Sequence, residues 1–254
     1  MSVFELSGRK ALVTGGAQGL GEGMARALAD AGATVVIADL QEEAGRAVAK
    51  GLGEEHGFVA LDVTSDDGWE KAVGEAVEHL GGLDILVNNA GIEITSLFTE
   101  IQADQVRKML DVNFLGTALG IKHGLRAMRP GGSAGNGGSI INIASVLGMR
   151  VATNLLAYAT AKAAVIQMTE ALALEWARHG IRVNAIAPGY IETEMNRGFF
   201  QTEAGQSMVK RVPQRRIGTP SVLDGALLLL ASGASSYMTG STVVVDGGHV
   251  VNSL

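Results

Sequence analysis

The 254-residue chain is 47% hydrophobic and 18% charged, which is ample apolar surface for a packed core and too little charge for a disordered tail. A net charge of −6 argues against nucleic acid as a partner, and the absence of cysteine excludes disulfides, thiolate metal sites and cysteine nucleophiles. His56, His79, His123, His179 and His249 include no pair three to five residues apart, so no metal site is expected.

No apolar run approaches the roughly 20 residues of a membrane span, and MSVFELSGRKALVTG passes directly into a core-like strand without a long apolar leader. A cytoplasmic protein with no membrane partner is expected, folded as one domain over 1–254. Glycine is the compositional outlier at 35 residues, about twice the usual share of roughly 7%. The glycines punctuate alternating strand-like and helix-like segments rather than forming a tract.

Short Val- and Ile-rich runs, each the length of a buried strand, recur at Lys10 to Thr14, Thr34 to Ala38, Phe58 to Leu61, Leu83 to Val87, Ser139 to Ala144, Arg182 to Ala187 and Thr242 to Val245. Between them lie helical stretches at Leu20 to Ala31, Glu42 to Leu52, Asp66 to Leu80, Asp104 to Met128, Leu155 to His179 and Pro220 to Ala231. Because the strands show no polar alternation, both sheet faces are covered. Repeated crossovers then give an α/β, Rossmann-type, doubly wound parallel sheet. Ser65 is the expected N-cap of the third helix, and Thr219 with Pro220 opens the last. Pro130 to Gly138 reads as a surface loop, Lys210 to Arg216 as a solvated basic loop, and Tyr190 to Pro213 as a candidate lid.

In TGGAQGLG, Gly15, Gly19 and Gly21 allow a tight strand-to-helix turn and close approach of a pyrophosphate to free helix N–H groups. The second strand ends at Asp39, where a carboxylate accepts hydrogen bonds from adenosine ribose hydroxyls and repels a 2′-phosphate. Leu40 stands where a phosphate site would carry arginine, and Gln18 adds no charge. NAD (NADH) is therefore expected over NADP.

In YATAK, Tyr158 and Lys162 share one helix face. A tyrosine near pKa 10 is a poor base at neutral pH, and a nearby cation is expected to lower that value by about 1–3 units. Ser145 follows the strand IINIA and reaches the same crevice. Each motif alone has an ordinary structural explanation; together, behind a dinucleotide loop, they point to proton exchange with a substrate hydroxyl.

With TGGAQGLG, Asp62–Val63, NNAG at Asn88 to Gly91, Asn113 in DVNFLG, Ser145, YATAK and PGYIET at Pro188 to Thr193, nearly the whole chain resembles the short-chain dehydrogenase/reductase family. The resemblance implies Tyr158 as acid/base and Lys162 as the group that tunes it and holds the nicotinamide ribose. It implies Ser145 as a donor to the substrate oxygen, and Asn113 as the holder of a water relaying protons to Lys162. It assigns Leu20 to the pyrophosphate, Asp62 and Val63 to adenine, and Asn88, Asn89, Ala90, Gly91 and Val112 to the cofactor channel. Pro188, Gly189, Ile191 and Thr193 would orient the carboxamide. Two long helices rich in small residues would pair subunits into a homotetramer.

The substrate is expected to be a small alcohol or ketone with a hydrophobic body, lined by Ser145, Leu147, Met149, Leu155, Tyr158, Tyr190 and Met195. The resemblance also reaches 3-oxoacyl thioester reductases and polyol dehydrogenases. A non-catalytic dinucleotide-binding protein is the remote alternative.

Overall fold

A computed structural model of the chain describes residues 3–134, 137–193 and 196–251. Seven strands, β1 (Lys10–Thr14), β2 (Thr34–Asp39), β3 (Gly57–Ala60), β4 (Ile85–Asn88), β5 (Gly138–Ile143), β6 (Ile181–Pro188) and β7 (Thr242–Val245), form one parallel sheet in the order β3-β2-β1-β4-β5-β6-β7. In chain order the helices are α1 (Gly19–Asp30), α2 (Glu42–Leu52), α3 (Asp66–Leu80), α4 (Ala103–Leu110), α5 (Gly116–Met128), α6 (Leu156–Trp176), α7 (Arg197–Phe200), α8 (Glu203–Arg211) and α9 (Asp224–Ala231). This is the expected doubly wound α/β domain, with every anticipated strand present.

One apolar cluster joins α1, α2 and α9 to one face of the sheet through Leu28, Val35, Ile37, Val87, Ile186 and Leu227. A second, around Trp69, Leu86, Ile121, Met128 and Ile140, joins α3 and α5 to the other face. Strand order reverses between β1 and β4, so the crevice opens beyond the carboxyl ends of those two strands.

The caps behave as their residue types require. Ser65 accepts the Gly68 N–H at 2.9 Å and opens α3. Thr219 and Pro220 instead begin a 3-10 turn, Pro220–Leu223, before α9, and Thr219 makes no side-chain cap bond.

Two expectations change. The single helix anticipated over Asp104 to Met128 is split by a π turn at Asp111–Leu115. The anticipated lid carries two short helices, α7 and α8; Thr202 accepts from the Gly205 N–H and opens α8. Parts of the Pro130 to Gly138 loop and of the 190–213 segment lie outside the described residues, Met195 among them.

Candidate active site

Thr14 fastens the site together at the end of β1. Its hydroxyl accepts the N–H groups of Asn89 and Ala90 at 3.0 and 3.1 Å, while the Asn89 amide donates to the carbonyls of Thr14 and Gly15 at 3.0 and 3.1 Å. The NNAG segment and the glycine loop are thus laced into one unit. Gly15 cannot be replaced cheaply, since it has φ +63° and any Cβ would meet the Ala90 backbone at 2.9 Å. A Cβ on Gly21 would meet the Gly15 carbonyl oxygen at 2.0 Å.

Across the crevice, Gly19 has φ +60°, and among the described residues the one atom within 4 Å of its virtual Cβ is Thr193 Cγ2, at 3.8 Å. The glycine loop and the PGYIET segment therefore face each other over open space. Gln18, the N-cap of α1, makes no side-chain cap bond, so the first-turn N–H groups, Leu20 included, remain available to an anion. Asp39 lies behind the loop: Oδ2 accepts the Ala17 N–H and Oδ1 the Gln41 N–H, both at 3.0 Å. Leu40 beside it is exposed. This uncapped cradle fits a dinucleotide pyrophosphate, with an adenosine ribose beside Asp39.

Several of the anticipated contact residues are also engaged within the protein. Asn88 turns into the protein, donating to Asn142 Oδ1 at 2.9 Å, and Asn142 in turn donates to Thr169 at 2.9 Å. Asn88 braces β4, β5 and α6, and it is Asn89 that reaches the cradle. The Val63 side chain packs in the core, and its carbonyl accepts from the Trp69 indole at 2.9 Å. Asp62 commits Oδ1 to the Thr64 N–H and hydroxyl. Val112 is half-buried in the π turn, Pro188 ends β6, Gly189 packs against Asp246, and Ile191 bridges to Gly218.

The four expected catalytic residues converge. Asn113 is fully buried, its Nδ2 donating to the Ile92 and Met109 carbonyls at 2.8 and 3.0 Å and its Oδ1 accepting the Ile92 N–H at 3.1 Å. Among the described residues Oδ1 accepts only this one N–H and keeps a second lone pair. Asn113 acts as a clamp on the chain leaving β4. A Cβ on Gly91 would meet Asn113 Oδ1 at 2.6 Å and Lys162 Nζ at 3.6 Å, so only glycine lets this chain pass.

Lys162 is buried and donates to the Ile143 carbonyl at 2.8 Å. Burial pulls its ammonium down to about 8. Its Nζ lies 5.7 Å from the centre of the Tyr158 ring. Ser145 accepts the Leu147 N–H at 3.1 Å, and its hydroxyl lies near enough to the Tyr158 phenol to oppose the rise described below.

The Tyr158 phenol is not lowered by its neighbour, contrary to expectation. Burial and the Glu93 carboxylate push it up to about 12, against the smaller opposing effect of the Ser145 hydroxyl. The reason is geometric: Nζ stands near the ring and points at Ile143. At neutral pH this site holds a protonated phenol, which is an acid ready to donate.

Of the substrate candidates, Leu147 is buried in the wall, Leu155 is half-buried at the start of α6, and Met149 is exposed on the rim. Tyr190 packs against Phe200 and His249 with ring centres 6.2 and 5.0 Å apart. Met195 lies outside the described residues.

Sequence reasoning missed two participants, Thr14 and His249, and placed Glu93 only as the start of the Glu93 to Phe98 stretch expected to bear on substrate identity. Thr14 looked like the last strand residue. Glu93 is marked only by its place after NNAG. His249, read as a separate surface residue, is brought to Tyr190 because Asp246 accepts the Gly248 and Val250 N–H groups at 2.8 and 2.6 Å and folds the tail back. Arg150 then donates to the His249 carbonyl at 2.7 Å.

A parallel α/β sheet with a glycine cradle at its switch point and a Ser-Tyr-Lys group beside it defines a dinucleotide-dependent oxidoreductase. A family model described as enoyl-(acyl carrier protein) reductase matches residues 15–250. The chain is 38% identical over 252 residues to trans-4-hydroxycyclohexanecarboxylate dehydrogenase of Sinomonas cyclohexanicum, covering 96% of this chain and 93% of that protein. It is 40% identical over 249 residues to 3-alpha-(or 20-beta)-hydroxysteroid dehydrogenase of Mycobacterium tuberculosis, covering 96% and 90%. The crystal structure of a gluconate 5-dehydrogenase from Burkholderia cenocepacia, in complex with NADP and tartrate, superimposes with a TM-score of 0.92 at 36% identity over 98% of each chain.

The chain belongs to the short-chain dehydrogenase/reductase family. It is an oxidoreductase that uses a nicotinamide dinucleotide to interconvert alcohols and ketones. Among the described residues no helix is long and apolar enough to cross a membrane, and no cluster of metal-ligating side chains occurs.

Proposed function

We propose that the protein is an NAD(H)-dependent dehydrogenase of secondary alcohols with an apolar body, with Tyr158 as the proton-transferring group. The observation that carries this reading is the convergence of Ser145, Tyr158 and Lys162 on one crevice, with Lys162 Nζ 5.7 Å from the centre of the Tyr158 ring. The bound dinucleotide supplies or accepts the hydride. The chain's own residues manage the oxygen: Ser145 and Tyr158 donate to it, and Tyr158 gives up its proton as the oxygen gains charge. Donors fixed in advance stabilise that charge most at the transition state.

Asp39 supports NAD as the preferred dinucleotide, since a carboxylate beside the ribose opposes a 2′-phosphate. The NADP-bound relative makes this preference the part most in need of a test. Exposed Leu97, Phe98, Met149 and Val151 around the crevice support a hydrophobic substrate body, in keeping with the cyclic alcohols named for the two relatives. The 190–213 segment would serve as the lid, and the assembly would be a cytoplasmic homotetramer, supported by exposed Phe114, Leu115, Leu156 and Leu174 on and beside α5 and α6. A screen of cyclic secondary alcohols with NAD and with NADP tests the reading directly. NAD-linked turnover is expected, and no turnover with either cofactor would reject it.

A further inference from the structure

At the end of the sheet away from the crevice, an open cavity of about 630 Å³ lies between the amino ends of β1, β4, β5 and β6 and the turn that links α9 to β7. A parallel strand rises roughly 3.3 Å per residue, so Arg182, near the start of β6, stands about 20 Å from Pro188 at its other end. The cavity is therefore separate from the dinucleotide and substrate site. Its volume is that of sites for small organic molecules rather than for single ions.

Arg182 is its central group. The sheet register pairs it with Ser139 on β5, and both side chains turn towards α9. Ser139 donates to the Leu230 carbonyl at 2.7 Å, while Arg182 Nη2 donates to the Leu230 and Ser232 carbonyls at 2.9 and 3.3 Å. Arg182 Nη1 donates to the Ser235 hydroxyl at 2.7 Å. These bonds use three of the five guanidinium donors and leave Nε–H and one Nη1–H without a partner among the described residues. No carboxylate is among the acceptors. The carboxyl end of α9 carries about half a negative charge at most, which does not neutralise the guanidinium. Arg9 lines the same cavity, paired with Asp84 at 3.2 Å, and Asp84 also accepts the Lys10 N–H at 3.0 Å. Two arginines thus face one aspartate that is already engaged. Burial first, and the Arg9 charge second, press Arg182 below the ordinary guanidinium range. A half-buried cation with spare donors and a second cation nearby is unfavourable unless an anion meets it.

The rest of the wall decides the kind of anion. Asp84 opposes a doubly charged group, which favours a carboxylate over a phosphate. Tyr237 is fully exposed at the mouth and Met238 is half-buried beside it, so an apolar body has surface to cover. We propose that this cavity is a second ligand site, in which Arg182 and Arg9 hold the carboxylate of a small organic monoanion whose apolar body covers Tyr237 and Met238. The proposal is independent of the dehydrogenase reading.

The test titrates the full chain with naphthoate, its uncharged amide naphthamide, and inorganic phosphate, with Kd read by ligand-observed NMR. The naphthoate Kd should rise at least about tenfold in Arg182→Gln, the scale of a lost charge-assisted bond, and about threefold or more in Arg9→Gln and in Tyr237→Ala. Naphthamide should bind more weakly and be indifferent to both arginine substitutions. Arg182 also ties β6 to α9, so its variant can fail to fold; Arg9 and Tyr237 are exposed, and their variants then decide the matter. Binding at the crevice is indifferent to all three substitutions, which lie at the opposite end of the sheet. A naphthoate affinity unchanged in Arg9→Gln and Tyr237→Ala, or no naphthoate binding at all, overturns the proposal. Naphthamide or phosphate binding as tightly as naphthoate overturns it too, the first by removing the need for charge and the second by removing the need for an organic body.

Discussion

Asn113 and Ile92 are joined by a reciprocal pair of hydrogen bonds, Nδ2 to the Ile92 carbonyl at 2.8 Å and the Ile92 N–H to Oδ1 at 3.1 Å. The amide thereby does for the β4 exit what a neighbouring strand would do. It is placed by the π turn, which holds Asn113 inside the helix bend. Asn113→Ala leaves the Ile92 and Met109 groups without partners, and each such loss costs about 1–3 kcal/mol when buried. Urea unfolding should show a drop on the order of 3 kcal/mol, with kcat falling as the Gly91 backbone loses its place beside Lys162. A variant with unchanged stability and rate would show that the clamp does nothing.

Lys162 makes a pH-dependent contribution whose sign follows from its lowered value. Below about 8 it is protonated in both folded and unfolded chains, and the folded state bears the full cost of the buried charge. Between about 8 and the ordinary 10.5 the folded chain binds fewer protons than the unfolded one, so stability rises with pH. Tyr158, raised to about 12, acts in the opposite sense, but only above its unfolded value of 10. Relative to Lys162→Met, the wild type should therefore gain about 2 kcal/mol from pH 8 to pH 10. Paired melting curves across that range check it; parallel curves would mean that Lys162 keeps an ordinary pKa.

Cofactor choice turns on Asp39 and Leu40. Because Asp39 also accepts the Ala17 and Gln41 N–H groups, Asp39→Asn is a smaller change than Asp39→Ala: it removes the charge and keeps an acceptor for one of the two N–H groups. Leu40 is 70% exposed, so Leu40→Arg adds a phosphate-binding cation at little structural cost. The double variant should raise the NADP-to-NAD ratio of kcat/KM at least about tenfold, the scale of one charge-assisted bond. A wild type that already favours NADP would reduce Asp39 to a loop anchor.

Much of this was legible in the sequence because its signals are local. Strand runs, the glycine turn, and the four-residue spacing of Tyr158 and Lys162 each report a backbone geometry directly. The π turn was not legible, since DVNFLG has ordinary helical composition and no local signal marks the widened hydrogen bonding. Asn88 and Asn89 are chemically identical, and only strand alternation sends one to the core and the other to the cradle. The phenol's elevated value was hidden for a related reason: spacing brings Lys162 beside Tyr158 on α6, while the direction of Nζ is set by the Ile143 carbonyl at the end of β5. Glu93 and His249 reach the site through loop paths that no short motif encodes.

The most direct measurement is the single-turnover rate of ketone reduction by Tyr158→Phe beside its affinity for NADH. Phenylalanine keeps the ring beside Lys162 and removes the one proton that the account assigns to the substrate oxygen. General-acid catalysis of this kind is worth about 10²–10⁴ in rate. The rate should fall by at least about a hundredfold, with NADH affinity within about threefold of wild type. A variant retaining more than about a tenth of the wild-type rate would contradict the assignment of Tyr158 as the proton donor.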